Sequence, residues 1–234
     1  MTCKSCNVIA SRVERVREAI ESSAARAGRK PEEITLVGVT KTQTAGTVRA
    51  LLEAGVMDIG ENRVQEIIEK SPHLCDLPHK THLIGHLQRN KAKFLPQQVD
   101  VLQSLDSITT IEAIEKVYAE KPERLEVLIE VNIGDETNKN GVCPCDVIPL
   151  AERVAASPVL RLRGLMTVPP ICTGDLVRRY FEQMYHLFID IRAKTMDNNS
   201  VTILSMGMSS DFQEAILEGS TMVRVGTALF GRRT

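Results

Sequence analysis

The chain carries no excess charge of either sign. Lysine and arginine number 29 against 30 aspartate and glutamate, a net charge of −1, which argues against nucleic acid or an anionic membrane as the partner. No apolar run approaches membrane-spanning length, and the N-terminus has no apolar signal-peptide region. A cytoplasmic protein without membrane contact is therefore expected. In that compartment the six cysteines are expected as reduced thiols. Two pairs stand close, Cys3 with Cys6 and Cys143 with Cys145. The second spacing is shorter than zinc sites use, and the first pair falls in residues 1–7, where fraying is expected, so no metal is expected. Nor does any linker divide the 234 residues, so residues 1–234 read as one domain.

What is present is an ordinary globular balance, 43% hydrophobic and 25% charged, enough for a sizeable core. Arg12, Arg15 and Arg17 lie among Glu14, Glu18 and Glu21 on a helical pattern and read as a solvated face, as do Arg89, Lys91 and Lys93. Val8, Ile9, Val13, Val16 and Ile20 predict a leading helix over 5–27, ended by Gly28. Short apolar runs then predict strands at 34–41, 56–60, 82–85, 99–104, 125–133, 162–168, 201–205 and 222–229. Helical patterns fall between them, at about 61–70 with Val64, Ile67 and Ile68 inward, around Leu87 and Phe94, and at 107–120, 146–156, 175–193 and 210–217. Strict alternation implies parallel strands with right-handed crossovers. Eight units in this length predict an α/β fold, a (β/α)8 TIM-type barrel with an extra N-terminal helix on its bottom or side. The competing architecture is a doubly wound open sheet.

Chemistry in such a barrel sits at the carboxyl ends of the strands. Lys41 closes the first predicted strand, Ile34 to Lys41, and an amine there can form a Schiff base with an aldehyde. The seventh strand ends in Ser205-Met206-Gly207-Met208-Ser209-Ser210, and the eighth carries Arg224-Val225-Gly226-Thr227. Small residues let the backbone approach an anion, and hydroxyls and amides donate to it. Ser209 or Ser210 is also expected to cap the following helix. Taken alone, these are also the residues of ordinary turns and caps.

Six ordered motifs go further. They are Val39-Thr40-Lys41-Thr42, Gly60-Glu61-Asn62, the Ile84 to Lys91 segment, Arg163 to Thr167, Leu204 to Ser209, and Gly219 to Gly231. From about residue 8 onward the chain resembles the pyridoxal phosphate homeostasis protein family. The resemblance implies an alanine-racemase-type barrel (fold-type III) holding pyridoxal 5′-phosphate (PLP) as an aldimine on Lys41. It implies phosphate contacts from Ser205, Gly226 and Thr227, with Ser209 beside them, and Arg224 facing the pyridine nitrogen. Asn62 and His86 match motifs near the ring, and Met166 and Met206 would line the pocket. Residues 132–141 depart from the usual loop of that family.

A guanidinium can only donate, so Arg224 would keep the ring nitrogen unprotonated and the ring a poor electron sink. Racemisation needs an acid or base on both faces of the cofactor. The racemase partner is a tyrosine from a second domain, whereas Tyr118, Tyr180 and Tyr185 fall in helical patterns. The expectation is a PLP carrier without appreciable catalysis, serving PLP-dependent apoenzymes as a monomer or weak dimer. An amino-acid racemase is the alternative. A barrel enzyme for another phosphorylated metabolite, with Lys41 condensing with a sugar aldehyde, is the third reading.

Overall fold

The computed structural model describes residues 4–194 and 201–231, with side chains from residue 7 onward. Helix α1 (Lys4–Arg26) leads. Then come β1 (Thr35–Val39), α2 (Ala45–Glu53), β2 (Asp58–Glu61), α3 (Val64–Lys70) and β3 (Lys80–Leu83). Next are β4 (Val101–Leu105), α4 (Ile108–Tyr118), β5 (Leu125–Glu130), α5 (Val147–Ala155) and β6 (Leu160–Met166). Last come α6 (Asp175–Lys194), β7 (Ile203–Ser205), α7 (Phe212–Leu217), β8 (Met222–Val225) and the short α8 (Thr227–Phe230).

The eight strands pair in sequence order, all parallel, and close into a barrel. Closure is the pairing of β1 with β8, where Thr35, Leu36, Val37 and Gly38 meet Met222, Val223, Arg224 and Val225. That register rules out the open sheet and sets Lys41 beside the end of β8.

Helix α1 packs on the side of the barrel, against α2, α7 and α8. Its buried residues Ile9, Val13, Val16, Ile20 and Ala24 recur three or four apart, one face of a helix. Burying an aliphatic side chain contributes roughly 1.5–3 kcal/mol, so this stripe ties α1 to the barrel by several kcal/mol. The barrel interior holds Val101, Leu128 and Met166 as an apolar cluster. Between β5 and β6 the register shifts by one residue, and Gly164 takes φ 153° there. A Cβ on Gly164 would lie 1.7 Å from the Ile203 carbonyl oxygen, so only glycine lets β6 lie against β7.

Three expectations need correction. The segment around Leu87 and Phe94 forms only a 3-10 helix, Arg89–Phe94, with Leu87 outside it. Its buried residue is Ala92, and Leu95, the residue that caps it three positions on, is buried too, the period of that tighter helix. Glu61 ends β2 instead of opening α3, and Ile68 faces solvent at 36% exposure. The last strand stops at Val225, because Gly226 turns the chain into α8. No helix among the described residues is long and apolar enough to cross a membrane.

Candidate functional site

The carboxyl ends of β1, β7 and β8 enclose a cavity of about 450 Å³. Five of the residues anticipated from sequence line it together: Lys41, Ser209, Arg224, Gly226 and Thr227. Gln43, Met208, Ser210, Phe230 and Gly231 also line it. Lys41 stands two residues beyond β1, in a turn closed by the Gln43 amide donating to the Thr40 carbonyl at 3.0 Å.

Ser209 does not cap α7. That position belongs to Asp211, whose carboxylate accepts from the Met208 amide at 2.6 Å. The Ser209 hydroxyl oxygen instead accepts from the Gly226 and Ala228 amides, each at 3.2 Å. It therefore ties the β7 loop to the turn after β8 and gathers hydroxyls and amides at one wall of the cavity. Gly226 keeps that wall low. A Cβ there would project to 3.4 Å from the Val39 side chain, another lining residue.

Arg224 is buried at 3% exposure, yet it reaches the cavity. Its Nη2 donates to the Thr167 carbonyl at 2.8 Å, and its Nη1 to Ser205 Oγ at 2.7 Å. Ser205 Oγ donates on to Gln103 Oε1 at 2.7 Å. The Gln103 amide nitrogen donates to His82 Nδ1 at 2.8 Å, and His82 Nε2 to Asp58 Oδ1 at 2.9 Å. Every donor has an acceptor in one consistent direction, from a guanidinium at the mouth to a carboxylate at the start of β2. That order places the His82 proton on Nε2. Burial lowers the Arg224 pKa to about 10, which leaves the group charged at neutral pH. Glu130, at the end of β5, has its pKa pushed up to about 7, by burial first and then by Asp106, with Arg224 opposing. One of its oxygens, Oε2, is buried without a hydrogen-bond partner.

The other anticipated residues lie elsewhere. Ser205 is fully buried with its hydroxyl committed to the Arg224–Gln103 chain, so it stands behind the cavity wall. Met166 and Met206 are packed in the core. Asn62 and His86 line a neighbouring cavity of about 490 Å³ at the ends of β2 and β3. There His86 Nδ1 pairs with Asp106 Oδ2 at 3.1 Å. Gln103 and His82 were not anticipated. Gln103 carried a signal, as a polar residue inside the apolar run of β4, whereas His82 follows Lys80 and Thr81 in β3 and carried none. Cys143, Cys145 and Asp146 share one exposed turn, their ligand atoms within 4.8 Å of one another, while Cys3 lies outside the described residues.

The profile of the alanine racemase N-terminal domain matches residues 13–234. The pyridoxal phosphate homeostasis protein of Escherichia coli K12 is 38% identical over 232 residues, covering 97% of each chain. The chain belongs to the pyridoxal phosphate homeostasis protein family. The family member from Aquifex aeolicus is 40% identical over 223 residues, covering 95% of this chain and 97% of its own. Among solved structures, PipY of Synechococcus elongatus with PLP bound superposes with a TM-score of 0.82 at 32% identity, over 95% of this chain and all of that one. Alanine racemase from Corynebacterium glutamicum shares the fold at 15% identity, with a TM-score of 0.70 over 97% of this chain and 61% of its own.

Proposed function

We propose that this protein binds PLP covalently through Lys41 and carries the cofactor for PLP-dependent apoenzymes in the cytoplasm, as a monomer or weak dimer, without turning over substrates of its own. One observation carries the reading: an amine, a buried guanidinium and a wall of hydroxyls and amides share a single cavity. Its volume, about 450 Å³, falls within the usual range for small-molecule sites. The PLP-bound relative and the names of the curated relatives support the same ligand.

The donor set fits each part of that molecule. When bound, PLP supplies an aldehyde that condenses with amines and a ring that can accept electrons. Lys41 offers the amine. The hydroxyls of Ser209, Ser210 and Thr227 suit a dianionic phosphate. Arg224, held by Ser205 and Thr167 on two nitrogens, cannot swing away. It would face the ring nitrogen as a pure donor and keep a proton off it.

The same features argue against turnover. A ring without that proton stabilises carbanions poorly. Racemisation also needs an acid or base on the second face, and no tyrosine lines the cavity. Tyr118 is buried as the last residue of α4, and Tyr180 and Tyr185 stand on α6. The racemase reading rests on distant likeness of fold.

Titrating wild type and Lys41→Ala with PLP tests the proposal. Wild type should develop absorbance above about 400 nm that the variant lacks, as lysine Schiff-base chemistry requires. Incubation of the loaded protein with L-alanine should yield no D-alanine. An unchanged band in the variant would remove Lys41 as the attachment point, and steady formation of D-alanine would overturn the carrier reading.

A further inference from the structure

Behind the turn that bears Lys41 lies a second amine, Lys70, the last residue of α3. It is buried at 9% exposure, a position lysine rarely takes unless paired. Its Nζ donates to Glu61 Oε1 at 2.7 Å, to the Thr40 carbonyl at 2.9 Å and to Glu66 Oε2 at 3.2 Å. An ammonium has three donors, and all three are used. The Thr40 carbonyl belongs to the peptide unit that joins Thr40 to Lys41. Glu66 Oε2 also accepts from the Thr42 amide at 2.7 Å, and that amide belongs to the peptide unit leaving Lys41. Thr40 Oγ1 donates to Glu61 Oε1 at 2.6 Å, and the Thr40 amide to the Gly60 carbonyl at 2.9 Å. One cluster thus grips the backbone on both sides of Lys41.

The grip has a conformation to enforce. Thr42 takes φ 65°, the left-handed region, where a β-branched residue is a genuine outlier. Such strain persists only where its surroundings over-determine it. Glu61 and Glu66 each complete the hold, and neither they nor Lys70 line the 450 Å³ cavity. Any effect on a ligand there must pass through the Lys41 backbone.

We propose that Lys70, with Glu61 and Glu66, is a positioning residue for Lys41 that fixes both peptide units flanking the reactive lysine and so sets how readily it takes PLP. The proposal rests on the reading that Lys41 carries the cofactor. A purely structural ion pair would stabilise the fold and leave PLP attachment alone.

The test compares wild type with Lys70→Met, Glu66→Ala and Glu66→Gln, using whole protein well below each melting temperature. Lys70→Met and Glu66→Ala should raise the PLP dissociation constant at least tenfold. Glu66→Gln keeps an oxygen for the Thr42 amide and should stay within about threefold of wild type by the same hydrogen-bond logic. In cofactor-free protein, hydrogen exchange at residues 41–43 should quicken in the first two variants and not in the third. If Lys70→Met does not fold, Glu66→Ala decides, since Glu66 is partly exposed. Unchanged PLP affinity in folded Glu66→Ala or Lys70→Met, even with a lower melting temperature, overturns the proposal. If wild type itself takes no PLP on Lys41, the cofactor reading fails and the proposal falls with it. That outcome is told apart by the wild-type control.

Discussion

Replacing Gln103 by leucine cuts the hydrogen-bonded chain through the barrel at its centre. The substitution keeps an aliphatic stem of similar length and removes both polar ends. Ser205 then loses its acceptor at 2.7 Å and His82 Nδ1 its donor at 2.8 Å. Both groups are buried, at 0% and 1% exposure, so water cannot replace the partner cheaply. A buried polar group left unsatisfied costs about 1–3 kcal/mol, so two cost about 2–6 kcal/mol. The added apolar burial returns about 1 kcal/mol. The net loss is about 1–5 kcal/mol, against a stability of about 5–15 kcal/mol for a typical domain. Urea unfolding at pH 7 measures it directly. Ser205→Ala should cost a similar amount, since it strands Gln103 Oε1 and one Arg224 nitrogen. The double variant should cost less than the two singles together, with a coupling of about 1 kcal/mol or more. A loss below about 0.5 kcal/mol for Gln103→Leu, or strict additivity, would refute the claim that these groups form one continuous chain.

Two further predictions concern the barrel itself. Gly164→Ala should prevent stable folding, because the new methyl would meet the Ile203 carbonyl at 1.7 Å and φ 153° is nearly closed to alanine. Loss of the cooperative thermal transition would check it, and a melting temperature within a few degrees of wild type would contradict it. Glu130 has a folded pKa of about 7, raised from 4.5, so the folded state holds its proton more tightly than the unfolded chain. Its contribution to stability is complete below pH 4.5 and is lost as pH rises through 7. At about 1.4 kcal/mol per pKa unit the loss is at most about 3.5 kcal/mol. Glu130→Gln should flatten that dependence and gain most at pH 8. An unchanged pH profile by urea unfolding would count against it.

The barrel was legible because each strand is a short apolar run closed by a polar turn, and periodicity reports that directly. Element ends were less so. The expected strand 222–229 ran through Val225 into Leu229, since both strand and α8 bury apolar residues and only the turn at Gly226 separates them. Of the candidate site, the shared cavity lining of Lys41, Ser209, Arg224, Gly226 and Thr227 was legible, and these come together because β1 closes on β8. Ser205 was placed one layer too far forward. Its neighbours in sequence are strand residues, while its hydroxyl is decided by Gln103, 102 positions away. Lys70 was hidden for the same reason. A lysine ending an amphipathic helix reads as solvated, and only the fold brings it to the Thr40 carbonyl, 30 positions away.

Peptide mapping of borohydride-reduced, PLP-loaded protein is the most direct measurement of whether Lys41 holds the cofactor. Reduction makes the lysine adduct permanent, so the modified residue can be read by mass spectrometry. Stoichiometric phosphopyridoxyl label on Lys41, absent from Lys41→Ala, is the predicted result. Label spread over surface lysines, or label of equal extent in Lys41→Ala, would contradict it.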